Sequence, residues 1–398
     1  MAKKVKIGLV WRLLIGIALG ILFGAFFPVW FNRTVVTAST LFSVYLKFII
    51  PLMILAFVTM GIADLSMGAG RLLLITAGIA YGSTLIAGSS AYMVAINLFP
   101  NFMDPTLLQS IGDPEAGQLA PFFRLPLAPL LDTTAAVVMA FILGLCMSSM
   151  RGKELHDALY QPFAEFSVII NKVLHSSVIP LLPLYICGTF VNMTVSGQTF
   201  VILGVLWKVF LTVITLHMIC ILIQFSVAGV ITKKNPFRLI KNQIPGYLSA
   251  IGTQSSAATI PVNLKCAEAD GVSPEIRNFV IPLCANIHMA GSMITITCCV
   301  TATMLMYNMP ISLGTIVPFI MTLGVAMVAS PGAPGGSIMT ALPFLPIMGI
   351  ASDSAIASLL IALYITQDSF GTACNVSGDN AISVVIERVY TKFIKKAA

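Results

Sequence analysis

Four side chains near the C-terminal end carry the chemistry open to this sequence. Asp368, Thr372, Asn375 and Asp379 stand at i, i+4, i+7 and i+11. An α-helix turns every ~3.6 residues, so the four make one polar stripe along an otherwise apolar helix. Two carboxylates and two neutral oxygen donors on one face are the makings of a cation site. Between Phe279 and Ile386 the only other charged residue is Asp353, and no Lys or Arg stands there to pair them. Carboxylates inside a membrane are costly and mark ion or substrate pathways. The balancing positive charge is expected to arrive from outside the chain.

The surroundings of the stripe are those of a membrane protein. The chain has 398 residues, 58% of them apolar and 9% charged, where soluble domains carry about 25% charged residues. Its apolar stretches are long enough to cross a hydrocarbon core of ~30 Å. The fold class is therefore all-α and polytopic, since a β-barrel needs short alternating segments. The net charge of +7 is a topology signal and not a nucleic-acid signature. Basic residues cluster at Lys3 to Arg12, at Arg151 and Lys153, at Lys233 to Lys241, and at Arg388 to Lys396. The positive-inside rule places these segments, and both termini, in the cytoplasm. The eight cysteines lie mostly in apolar stretches without metal-like spacing, and read as buried thiols.

Spans are predicted at about 9–31, 41–63, 72–98, 125–150, 163–194 and 200–231. Lys47 and Asp132 fall near span ends, where they reach the interface. His156 reads as solvated, His175 lacks an acidic or Cys neighbour in sequence, and His217 is likewise read as neither catalytic nor metal-binding. From 239 onward the pattern changes. Two short arms flank Thr253 to Pro261, and two more, 313–329 and 337–350, flank Ser330 to Gly336. Arms too short to span, joined by small, polar or Gly/Pro-rich tips, are the pattern of re-entrant hairpins. Between them a span at about 276–307 carries Asn286, His288, Gly291 and Ser292 in its middle, which predicts an unwound segment. A hairpin followed by an interrupted helix is thus predicted twice, a pattern that points to a transporter binding site.

At these motifs the chain resembles the dicarboxylate/amino acid:cation symporters, the glutamate-transporter family. The resemblance is carried by the Asp368–Thr372–Asn375–Asp379 stripe, the Ser255-Ser256 tip, the Pro331-to-Gly336 tip and Leu46 to Ala63 in the second span. It covers nearly the whole chain. Gln367-Asp368-Ser369, Thr372-Ala373 and Ala257-Ala258 are most similar to the bacterial sodium/serine-threonine symporters.

That resemblance implies eight transmembrane helices plus two hairpins with inverted repeats, working as an elevator in a homotrimer. It implies scaffold helices at 1–70 and 125–195. It also implies a moving unit made of helix three (71–100) and residues 199–398, with the hairpins at about 236–268 and 313–350 and helices seven and eight at about 276–307 and 353–396. By resemblance Asp368 binds a substrate ammonium. Thr372 and Asn375 help hold its carboxylate, with Ser255, Ser256, Pro334, Gly335 and Gly371 around it. Asp379, Asn375 and carbonyls near Cys284 and His288 would hold one Na+; Asn286 and carbonyls from Val328 to Ser330 would hold another. The tip around Pro331 to Gly336 would be the external gate.

The departures select the substrate. Members that take acidic substrates carry Arg where this chain has Gly371, and some carry Arg where it has Gln254. Gly371 is expected to leave open volume in place of that Arg. Where many members have an Asn-Met-Asp motif this chain has His288-Met289-Ala290, which puts a third sodium site, with Tyr81 and Thr84 as its remaining ligands, in doubt. The implied function is sodium symport of small neutral amino acids (serine, threonine, alanine) in a bacterial inner membrane. The alternatives are an acidic amino-acid or dicarboxylate symporter, a proton-coupled carrier through His288, and an intramembrane enzyme built on His288 and Asp379.

Overall fold

The computed structural model describes residues 9–65, 70–101, 119–131, 133–150, 154–197, 199–327, 330, 335–352 and 354–394. Among these every regular element is helical. Asp132, Val328, Asp353 and the tip residues Pro331 to Pro334 lie outside the described residues.

Two groups of helices organise the chain. In the first, α1 (Leu9–Phe26) lies along α6 (Ile179–Val195) and α2 (Val29–Leu65) packs on α4 (Thr133–Met150), α6 and α5 (Glu154–Val173). A π-helical turn, Leu174–Val178, joins α5 to α6. The α1–α6 seam is made by glycines spaced four apart. A Cβ at Gly16 would stand 2.7 Å from the Pro183 carbonyl oxygen, and one at Gly20 would stand 2.6 Å from that of Cys187. A Cβ at Gly24 would stand 2.6 Å from the Thr194 side chain and 3.0 Å from the Val191 carbonyl oxygen. Small residues at this spacing let helix backbones meet inside lipid.

The second group surrounds α14 (Ala355–Val389), which Ser354 caps by accepting the Ala357 N–H. Against α14 pack α7 (Thr199–Thr232), α8 (Pro236–Thr253), α9 (Ser256–Ala269), α10 (Pro274–Ile287) and α11 (Ala290–Met306), with α3 (Gly70–Leu98) behind α11. The second hairpin is α12 (Leu313–Met327) and a short α13 (Gly336–Ala341) that tightens into a 3₁₀ run, Leu342–Met348. Pro343 and Pro346 in that run remove the donors a regular α-helix needs.

Three boundaries differ from the sequence expectation. The second helix begins at Val29, not near 41, because the polar stretch after it satisfies itself. Thr34, Thr37 and Thr40 each donate back to the carbonyl four residues earlier. The fourth span is helical only from Thr133, since Pro126 and Pro129 keep 125–131 irregular. The last helix is unbroken through its polar stripe, so the interrupted helix occurs once and not twice. No proline interrupts α14, and its polar side chains find partners on neighbouring elements.

Five stretches among the described residues are long and apolar enough to cross a membrane: Val29–Met53, Leu72–Asn101, Ala158–Val195, Leu206–Thr232 and Pro274–Met306. Shorter apolar helices include Leu14–Phe26, Val138–Met147, Leu313–Met327 and Gly336–Met348. None of the eight cysteines forms a disulfide.

Candidate functional site

The helix break after α10 builds the centre of the site. His288 and Met289 leave the helical region, with φ −105° and −124°. A break in mid-membrane strands backbone donors that water cannot reach. Here other helices take them. Thr84 on α3 accepts from the Met289 N–H at 3.2 Å, and the Asn375 side-chain oxygen accepts from Gly291 N at 2.7 Å and Ser292 N at 3.3 Å. Asn375 therefore caps α11 from α14. Its amide nitrogen donates to Ser292 Oγ at 3.0 Å.

Two turns earlier on α14, Asp368 is buried and surrounded by donors. Gly335 of the second hairpin tip donates its N–H to Oδ2 at 2.7 Å; Tyr364 donates to Oδ1 at 2.8 Å and Thr372 at 3.5 Å. Gly335 has φ +74°, a left-handed backbone that glycine adopts without a Cβ clash. Ser292 joins the network, its hydroxyl 3.1 Å from that of Tyr364 and accepting from Ser337. The first hairpin arrives from the other side. Gln254 turns its tip in a left-handed conformation and donates to Ser369 at 3.0 Å. Ser255 caps α9 by accepting the Ala258 N–H, and Ser256 is buried behind it.

Asp379 is fully buried and has different company. His288 Nδ1 donates to its Oδ1 at 3.0 Å, while Oδ2 has no hydrogen-bond partner among the described residues. The far nitrogen of the imidazole meets Ser83 Oγ on α3 at 3.1 Å and the Gln224 amide on α7 at 3.4 Å. A buried carboxylate oxygen left without a donor fits a monovalent cation, the hard-oxygen chemistry of an alkali ion.

The remaining expected residues are placed as follows. The Cys284 carbonyl accepts the His288 N–H. Asn286 is exposed and donates to Pro282. Ser330 is buried, its hydroxyl without a partner among the described residues. Gly371 does not face open volume. A Cβ there would sit 3.3 Å from Thr295 Oγ1 and 3.6 Å from the Gly291 carbonyl, because small residues let α11 and α14 close together. Sequence reasoning missed Tyr364, which extends the Asp368 stripe by one turn at i−4. It also missed Gln224. His217 and Gln224 lie seven residues apart, two turns on one face of the apolar α7, and that spacing was the available signal. His217 bonds Thr295 Oγ1 and the Gly291 carbonyl oxygen.

A family model described as the sodium:dicarboxylate symporter family matches residues 9–389. The chain belongs to the sodium:dicarboxylate symporter family. It is similar to proteins of Acinetobacter baumannii named serine/threonine transporter SstT. The one from strain AYE is 26% identical over 398 residues, spanning 96% of this chain and 97% of the relative, and the one from strain SDF is equally similar. A member of this symporter family is a transporter. Ser83, His288 and Asp379 do stand in the order of nucleophile, base and orienter. Ser83, however, lies inside the continuous α3, where backbone N–H groups are already bonded within the helix and cannot stabilise an oxyanion.

Proposed function

We propose that this protein imports small neutral amino acids, serine and threonine foremost, by symport with sodium. The observation that carries the reading is Asp368: a buried carboxylate held only by neutral donors, at the meeting of both hairpins and α14. A substrate ammonium is the cation it lacks. The substrate's own side chain finds no cation. Between Lys241 and Arg388 the only basic residues are Lys265 and Arg277. Lys265 is exposed, and Arg277 pairs with Glu268 at 3.1 Å at the end of the hairpin. Burying an unpaired side-chain carboxylate costs several kcal/mol, and ~1.4 kcal/mol is tenfold in affinity. The names of the similar bacterial proteins support the same substrate class.

In this reading Thr372 and the hairpin tips surround the substrate carboxylate, and Asp379 Oδ2 takes a sodium ion. Helices α3 and α7 to α14 move as one unit against α1, α2 and α4 to α6, with eight spans in all, both termini cytoplasmic, as a homotrimer in a bacterial inner membrane. The arrangement of contacts into two helix groups supports that division. Uptake of labelled serine into proteoliposomes tests the reading. An inward sodium gradient should drive accumulation, choline should abolish it, and excess aspartate should compete poorly. Preference for aspartate over serine would overturn the neutral-substrate assignment.

A further inference from the structure

His288 is the residue whose surroundings the symport reading leaves unused. It sits in the helix break, fully buried, with side chains or backbone of α3, α7 and α14 against it. The ionised Asp379 can only accept, so Nδ1 carries the proton between them. At the other nitrogen the Gln224 amide NH₂, which can only donate, stands 3.4 Å away and also donates to Ser83 Oγ at 3.1 Å. The lone pair therefore belongs on Nε2, and the Ser83 hydroxyl donates to it. Donors run in one direction, Gln224 to Ser83 to His288 to Asp379, through a neutral ring.

The seat of the ring is built from α14 as well. Gly378 precedes Asp379, and a Cβ there would run into His288 Cε1 and come within 2.7 Å of the Gln224 amide oxygen. Only a glycine at this position lets the imidazole and amide lie flat on the helix beside the carboxylate.

We propose that His288 is a positioning residue for the ion. Pinned by Ser83 and Gln224, it occupies Asp379 Oδ1 permanently, leaves Oδ2 as the single carboxylate oxygen for the cation, and fills the space beside it. A neutral donor does not cancel the charge of the carboxylate, so one monovalent cation is still required. It does draw on the carboxylate's electron density and prevents two-oxygen coordination. The ion is held loosely enough to leave, which transport requires as conduction does, and large cations are kept out. The inference rests on Asp379 being an ion site, as the proposed function has it.

Equilibrium binding of ²²Na⁺ to the purified protein in nanodiscs, without amino acid, reads this apart from transport. His288→Ala should tighten sodium binding about tenfold, as expected for freeing a carboxylate from one charge-assisted hydrogen bond, and should let potassium compete. His288→Asn places an amide N–H where Nδ1 stood and should restore affinity to within about threefold of wild type. Ser83→Ala and Gln224→Leu keep the ring but free its far side, and should shift affinity in the direction of His288→Ala by a smaller factor. These two also decide the matter if His288→Ala does not fold. Sodium affinity and potassium competition unchanged in His288→Ala, or in the Ser83 and Gln224 variants where it does not fold, with binding weakened in Asp379→Asn, would overturn the inference alone. Binding unchanged in Asp379→Asn would overturn both it and the ion assignment.

Discussion

Asp368 and Asp379 lie three turns apart on one face of α14, both buried, yet they are solvated by the protein in opposite ways. Around Asp368 both oxygens accept bonds, and one donor, the Gly335 N–H, belongs to a hairpin tip. Around Asp379 one oxygen is tied to an imidazole in the rigid crossing of α3, α7 and α11, and the other is bare. A carboxylate whose donors can withdraw suits a ligand that comes and goes with a gate. One whose donor is fixed suits an ion that must always meet the same geometry. The difference is set by what surrounds each acid and not by the acids themselves.

The largest expected effect removes the exchangeable charge. Asp368→Asn should reduce serine uptake at least a hundredfold while leaving the elution profile of the purified protein unchanged, because an amide cannot neutralise an ammonium away from water. Near-normal uptake would erase the contrast. Asp379→Asn should raise the sodium concentration for half-maximal uptake about tenfold at fixed serine; an unchanged sodium dependence would place the ion elsewhere. Gly378→Ala tests the fixed side of the comparison. Its methyl must displace the imidazole or the Gln224 amide, and overpacking of this kind costs about 1–3 kcal/mol. A lowered melting temperature is expected, with a lower sodium concentration for half-maximal uptake. Tyr364→Phe removes one of Asp368's several donors and should raise the serine KM only about three- to tenfold, with sodium dependence retained.

The smallest effect concerns a third carboxylate, Asp270, in the turn between α9 and α10 outside the apolar spans. Burial raises its pKa above the usual carboxylate value, opposed by hydrogen bonds from Asn242 and Asn380 and by the charges of Lys234 and Arg238. Its folded pKa exceeds its unfolded one, so its contribution to stability is full below the unfolded value and lost as pH rises through the raised one. Asp270→Asn should flatten that part of the stability profile, by less than any effect above. A variant that steepens it would show the carboxylate to be stabilised in its charged form.

The stripe on α14 was legible because four polar residues at helical spacing in an apolar helix have no other regular explanation. The first hairpin was legible because its arms are too short to span, and the break at His288 because polar residues and glycine cluster there. What could not be read was partnership across the fold. Ser83, Gln224 and Ser292 are single polar residues in apolar stretches, and their meaning depends on which helix faces which. Asn375 shows the limit well. Its spacing marked it as a ligand, but its side chain caps a helix that begins more than eighty residues earlier in the chain. Gly371 misled for the same reason: a missing side chain leaves no hole when the neighbouring backbone has moved in to fill it.

The glycine seam between α1 and α6 bears on how such a chain can change. Its adhesion comes from two backbones touching, so it does not depend on water being driven out, and lipid, detergent or temperature should alter it little. Residues on the outer faces of those two helices are then free to drift with the membrane they inhabit, while Gly16 and Gly20 are not. The two helices can behave as a single thick post, bought by three missing methyl groups, against which other parts of the molecule have something unyielding to slide.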